Sequence, residues 1–280
     1  MKKTFFTTKD DLEQIIRGKL SGVKATRQIL TGWTNIVIEA ETDSGSYFFR
    51  FPRNEFWSRM IRKDARFCQF VSGKTSFYTP DMKLLFDEHG RPFSLHKKIE
   101  GYSLNDRLYN LSHTALTAVA YDCAKFVYEM SKISVESAPK KLRYPLAKFL
   151  RELDERHYVE GEHIPEDHEF ITSLGTSKLV HGDLNLGNIL LDENDKMVAV
   201  IDFCFAGAGD PKADVARILS RPVPKEFEES LIRYYQELLG DDRREALEHL
   251  RESWGRIDAG YAGHIRREFP EITLPELQIT

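Results

Sequence analysis

The chain has 280 residues, with 40 Lys and Arg against 44 Asp and Glu and a net charge of −4 at neutral pH. That balance lacks the basic footprint of a nucleic-acid binder, and the length is enough for one large or two modest domains with proper cores. Three widely separated cysteines, Cys68, Cys123 and Cys204, sit inside apolar runs and argue against a disulfide framework or a C-x-x-C metal site.

Along the chain, the opening Met1–Phe6 begins like a signal peptide, but Lys9-Asp10-Asp11 cut the apolar segment short. No other uncharged apolar run is long enough to span a bilayer, so the expected location is the cytoplasm with no membrane contact. Thr8 reads as the N-cap of a helix whose apolar face is Leu12, Ile15, Ile16 and Leu20. Val23–Leu30, Ile36–Ala40 and Tyr47–Phe51 then predict three strands of a small antiparallel sheet, with turns at 31–35 and 43–45. Phe56, Met60, Phe67 and Val71 recur at helical spacing, and Asp64 completes their stripe. A carboxylate on an apolar face calls for a cation, and Arg50 supplies one, lying between Phe49 and Phe51 in a segment too apolar for a solvent edge.

Asp81–Phe86 and Arg91–Lys98 predict two further strands, and Glu100-Gly101 breaks the chain before the next helix. The expected division is residues 1–99 and a mainly helical part, 100–280. In the second part Ser112–Met130 carries Leu116, Val119, Ala120, Cys123, Ala124 and Val127 on one face, the pattern of a central core helix. Pro145–His157 predicts another helix. From Glu152 to Glu169 eight acidic residues stand against one arginine, Arg156; they form either a solvated face or a cleft wall that attracts a cation. Two last stripes, Phe227, Leu231, Tyr235, Leu238 and Leu247, Leu250, Trp254, Ile257, Tyr261, read as core.

The chemistry concentrates in His181-Gly182-Asp183-Leu184-Asn185-Leu186-Gly187-Asn188, followed by the apolar hairpin 189–201 and Asp202. An aspartate, an asparagine five residues on and a second aspartate after a hairpin have the spacing of a kinase catalytic loop and its metal-binding aspartate. In that reading Asp183 takes or orients the proton of an acceptor hydroxyl, and Asn188 and Asp202 offer oxygens to Mg²⁺. His181 reads as a structural hydrogen-bonding residue. Arg50 paired with Asp64 would hold nucleotide phosphates, the alternative being a purely structural ion pair. The backbone of about 96–98 would read a purine edge, and Asp210-Pro211 would open a helix on which Asp214 braces the loop.

Taken with Leu30-Thr31-Gly32-Trp33-Thr34-Asn35, Phe49-Arg50-Phe51-Pro52-Arg53, Lys98-Ile99-Glu100-Gly101 and Gly209-Asp210-Pro211, this loop resembles the aminoglycoside phosphotransferase family over nearly the full chain. The Phe-Arg-Phe-Pro-Arg strand end is similar to the branch that modifies the 2″-hydroxyl of aminoglycosides, and to the macrolide kinases. The resemblance implies an α+β, protein-kinase-like bilobal fold with a small antiparallel-sheet N-lobe, a hinge at about 96–99 and a larger helical C-lobe. It also implies ATP or GTP as co-substrate with Mg²⁺, Asp183 as catalytic base and Asn188 and Asp202 as metal ligands. Thr34, Asn35, Arg50, Asp64, His96 and Lys98 would then face the nucleotide, and Asp258, Glu268 and Glu271 a cationic hydroxyl substrate. Arg50 stands where many members have lysine, and Asp64 where glutamate is usual.

A lone Gly32 in place of G-x-G-x-x-G, His-Gly-Asp in place of H-R-D and the lack of an A-P-E segment argue against a protein kinase. Three functions follow: an aminoglycoside antibiotic kinase, a kinase of a macrolide or of a metabolic sugar or amino alcohol, and a nucleotide-binding module without the reaction. The intact Asp183, Asn188 and Asp202 set argues against the last.

Overall fold

The structure, a computed structural model, describes residues 9–30, 32, 34–157, 175–242 and 244–268. The N-cap expected at Thr8, the turn residues Thr31 and Trp33 and Glu271 lie outside these, as does most of the acidic stretch, of which only Glu152 has a described side chain.

Helix α1 (Lys9–Lys19) lays Leu12 and Ile16 on a five-stranded antiparallel sheet. The sheet comprises β1 (Ala25–Ile29), β2 (Asn35–Thr42), β3 (Gly45–Pro52), β4 (Lys83–Phe86) and β5 (Pro92–Lys97), in the order β1-β2-β3-β5-β4. Strand alternation sorts the two faces. Phe49, Phe51 and Phe93 stack under α1 with ring centroids 5.1 to 6.3 Å apart. Phe48 and Arg50 point the other way, and the register Phe48↔His96 and Arg50↔Ser94 puts His96 on their face. β1 is shorter than the sequence suggests because it is an edge strand, paired only to β2 and largely exposed.

Helix α2 (Glu55–Val71) starts where the Asn54 side chain accepts a hydrogen bond from the Trp57 amide at 3.0 Å. It carries Asp64, fully buried, toward Arg50. Its residues Phe56, Trp57, Phe67, Cys68 and Val71 belong to the large core formed with residues 104–257, not to the cluster under α1. The apolar face of α2 thus packs with the later part of the chain, and the sheet keeps its own cluster under α1.

Beyond β6 (Tyr102–Ser103) and α3 (Leu104–Arg107) comes α4 (His113–Lys132), capped by Ser112, whose hydroxyl accepts from the Ala115 amide at 3.2 Å. α4 is the buried centre the sequence predicts, with Val119, Ala120, Cys123, Ala124 and Phe126 all closed to solvent. Around the same core stand α5 (Leu146–His157), α6 (Lys212–Leu219), α7 (Lys225–Leu239) and α8 (Arg244–Glu268). The remaining strands are very short: β7 (Lys178–Val180) pairs with β10 (Gly207–Gly209), and β8 (Ile189–Leu191) lies between β6 and β9 (Met197–Val200). Segments this short carry little periodicity, so of these only the β8–β9 hairpin is legible in the sequence. No helix among the described residues is long and apolar enough to cross a membrane.

One buried cation has a measurable consequence. Lys63 on α2 is 8 % exposed, and its ammonium has no hydrogen-bond partner among the described residues. It lies 5.2 Å from the Phe149 ring and 6.0 Å from that of Tyr144, contacts that only partly replace water. Burial lowers its pKa from 10.5 to about 8. The folded state thus disfavours the proton, so the cost is complete below pH 8 and is relieved as pH rises from 8 to 10.5. Lys63→Met is expected to stabilise the protein by about 1–3 kcal/mol near neutral pH. In denaturant melts the difference from wild type should shrink across that alkaline window; a constant difference would refute this account.

Candidate active site

Strand β7 delivers the chain into the loop 181–188, and three buried groups fix its path. Asp214, in the first turn of α6, accepts the amides of His181 and Gly182, one on each oxygen, both at 2.8 Å. Burial pushes the Asp214 pKa up to about 7, while the two amide donors work the other way by favouring the carboxylate. His181, fully buried with its ring centroid 4.6 Å from that of Phe203, donates from Nε2 to the Ile201 carbonyl at 3.0 Å and accepts at Nδ1 from the Asp183 amide at 3.3 Å. Burial lowers its pKa to about 4, which leaves a neutral ring with both nitrogens engaged. Gly182 turns the chain at φ +78°, where a Cβ would lie 2.6 Å from the Phe205 carbonyl oxygen, so glycine alone fits.

This path brings Asp183 into a cleft of about 590 Å³ shared with Arg50, Asn188 and Asp202. Asn188 donates from Nδ2 to the Asp183 carbonyl at 2.8 Å, and among the described residues its amide oxygen has no partner. The Ile201 amide donates to the Asn188 carbonyl at 3.0 Å, so the hairpin returns Asp202 beside Asn188. Asp202 itself sits in the left-handed region, at φ 66° and ψ 64°, a conformation that non-glycine residues rarely hold without support. The support comes from the next residue: the Phe203 amide donates to Asp64 Oδ1 at 2.9 Å.

Arg50 ties these parts together. It donates from Nη1 to Asp64 at 2.6 Å and from Nη2 to Asp202 at 3.0 Å, so one guanidinium spans a carboxylate of α2 and one from beyond the hairpin. The pairing with Asp64 is the one the sequence predicts; the second arm, to Asp202, has no sequence signal. Burial pushes the Asp64 pKa up to about 6 against the pull of Arg50. Burial also opposes the Asp202 charge, yet Arg50 beside it holds that carboxyl below its ordinary range.

At the far end of the cleft Asn35 donates from Nδ2 to the Thr34 hydroxyl at 2.7 Å, while its buried Oδ1 has no partner among the described residues. His96 donates from Nδ1 to the Lys97 carbonyl at 3.0 Å, and burial lowers its pKa to about 4. Lys98 also lines the cleft, but its amide donates to the Ser46 carbonyl at 2.8 Å and its ammonium to Glu39 at 2.9 Å. At residue 98, then, the sheet already uses the backbone donor that the sequence reserved for a purine.

Asp258, which the resemblance places toward the substrate, accepts from Arg217 Nη1 at 2.6 Å. Arg217 also donates from Nε to Asp183 at 2.7 Å. Sequence reasoning misses this arginine; its one signal is a position three residues after Asp214 on the helix that braces the loop. Glu268 closes α8, and its side chain lies outside the described residues.

The donor set suits Mg²⁺. Among the described residues no group of three or more His, Cys, Asp or Glu side chains could cage a metal, but Mg²⁺ keeps waters and phosphate oxygens and needs only one or two protein oxygens. The amide oxygen of Asn188, which accepts from no described residue, and the Asp202 oxygen not bound to Arg50 meet that need.

A family model described as "Phosphotransferase enzyme family" matches residues 25–249. The chain resembles the solved complex of APH(2″)-IIia with GDP and kanamycin at 20 % identity, covering 94 % of this chain and 95 % of that one, with a TM-score of 0.71. ADP-bound aminoglycoside phosphotransferase APH(2″)-Ib gives 20 % identity, 91 % and 92 % coverage and a TM-score of 0.61. Macrolide 2′-phosphotransferase MphH from Brachybacterium faecium gives 18 %, 95 % and 99 %, and 0.61. No match was found among curated protein sequences. The structural likenesses establish a protein-kinase-like fold, and the family match, over most of the chain, makes this protein a member of the phosphotransferase enzyme family.

Proposed function

We propose that this protein transfers the γ-phosphoryl group of ATP or GTP to a hydroxyl of an aminoglycoside-type antibiotic, in the cytoplasm. The observation that carries the proposal is the convergence of Asp183, Asn188, Asp202 and Arg50 on one cleft. In this reading residues 1–99 hold the nucleotide, 100–280 supply the catalytic loop and acceptor site, and the hinge is at about 96–99. Thr34, Asn35, His96 and Lys98 line the nucleotide end. Asp183 holds the acceptor hydroxyl and takes up its proton as the hydroxyl oxygen bonds to the γ-phosphorus and the bond from that phosphorus to the β-phosphate oxygen breaks, releasing ADP or GDP. Arg50 fixes Asp202 and, through Asp64, the amide of Phe203, so the carboxylate that would hold the metal is positioned beforehand. Bound at Asn188 and Asp202, Mg²⁺ would neutralise charge on the transferring phosphoryl oxygens.

One observation favours a second reading. Arg217 neutralises part of the negative charge that Asp183 and Asp258 bring to the acceptor end. Less anionic character there suits an acceptor with fewer amines, such as a macrolide or a metabolic sugar or amino alcohol. Nucleotide consumption measured across aminoglycosides, macrolides and metabolic alcohols, with ATP and with GTP, separates the two. Turnover that depends on an aminoglycoside is expected; turnover only with weakly charged acceptors would replace the first reading with the second. Failure to consume either nucleotide with any acceptor would refute both.

A further inference from the structure

We propose that Arg217 is a positioning residue for phosphoryl transfer: with Asp258 as its anchor, it selects which oxygen of Asp183 faces the acceptor hydroxyl. The inference rests on the reading of Asp183 as catalytic base. The geometry behind it is asymmetric. Oδ1 of Asp183 accepts two close bonds, from Arg217 Nε at 2.7 Å and Asn185 Nδ2 at 3.0 Å. Among the described residues Oδ2 has only a long contact, from Asn188 Nδ2 at 3.5 Å. A carboxylate held by one oxygen keeps lone pairs of the other for a proton, so Oδ2 is assigned as the reacting atom.

Arg217 can impose this choice because it is itself immobilised. Its Nη1 donates to Asp258 at 2.6 Å, and its guanidinium lies 4.9 Å over the Trp254 ring. Trp254, buried in α8, is fixed in turn by donating Nε1 to the Ala213 carbonyl at 3.1 Å. The arginine thus reaches from α6 to the catalytic loop while α8 grips it on two sides. A long side chain with this many constraints has little freedom left to lose in the transition state. Lysine could not replace it: two carboxylates on separate elements need donors in a rigid fork, which an ammonium lacks.

The alternative is an ion triad that only staples α6 to α8. The two roles differ in turnover. In Arg217→Ala, kcat is expected to fall on the order of 100-fold, with the KM for nucleotide within about twofold of wild type and added methylguanidine restoring part of the rate. Methylguanidine should do nothing for Asp183→Ala, and adding Arg217→Ala to Asp183→Ala should cause no further loss. If Arg217→Ala does not fold, as judged by circular dichroism, Arg217→Lys and Asp258→Asn carry the test, each expected to lower kcat roughly tenfold at unchanged nucleotide KM. A kcat within about threefold of wild type in the folded variants, or a loss that adds in full to that of Asp183→Ala, overturns the positioning role. Wild-type turnover in Asp183→Ala would instead remove the base itself, a failure visible before Arg217 is touched.

Discussion

Asp183→Asn is expected to lower phosphoryl transfer by about 10²- to 10⁴-fold, the usual contribution of a positioned acid or base, while nucleotide binding persists. The substitution keeps the shape of the side chain and an oxygen for Arg217, so the loop held by Asp214 and His181 should remain folded. The nucleotide end of the cleft does not depend on this carboxylate: Arg50 meets Asp64 and Asp202, and Asn35 and His96 lie on the sheet. Titration calorimetry with a nonhydrolysable nucleotide should therefore match wild type, and the coupled assay should fall near background. Normal turnover would remove Asp183 from the reaction, and loss of nucleotide binding would show that its role is structural.

What is legible in the sequence follows from local pattern. Period predicts α1, α2 and α4, and alternation predicts β2, β3 and β5, because each buries one face of a regular element. The catalytic loop is legible because its chemistry is packed into one short stretch, from His181 to Asp202, whose spacing alone restricts its use. Asp64 stands out through its misfit on an apolar stripe. The pairs that escape join residues far apart in sequence: Arg50 with Asp202 spans 152 positions, and Arg217 with Asp258 spans 41. Nothing local marks such partners; the family resemblance offers Asp258 as a substrate contact, but no pattern in the sequence points to its ion pair with Arg217. For the same reason Lys63 and Arg217 look like ordinary charged positions until burial is known.

Arg50→Met is expected to unfold more easily than wild type by about 3–5 kcal/mol and to lose activity, because it leaves Asp64 buried without its cation. The fully buried carboxylate would retain the Phe203 amide and the Cys68 thiol as donors but would lose the guanidinium it now meets. pH separates this cause from a simple loss of packing. Burial already raises the Asp64 pKa to about 6; without Arg50 it would rise further, and the variant would fold with Asp64 protonated. A carboxyl whose folded pKa lies above its unfolded value costs stability as pH climbs through that interval, so the Asp64 contribution keeps growing in the variant above pH 6, where it has levelled off in the wild type. Urea melts should show the two proteins drawing apart from mildly acidic to mildly alkaline pH, whereas equal differences throughout would mean that Arg50 contributes by packing alone. Arg50→Lys keeps a charge near Asp64 but cannot span the 2.6 and 3.0 Å contacts to both carboxylates at once. It should therefore recover most of the stability and little of the turnover, which would separate the cation that holds Asp64 from the fork that sets Asp202.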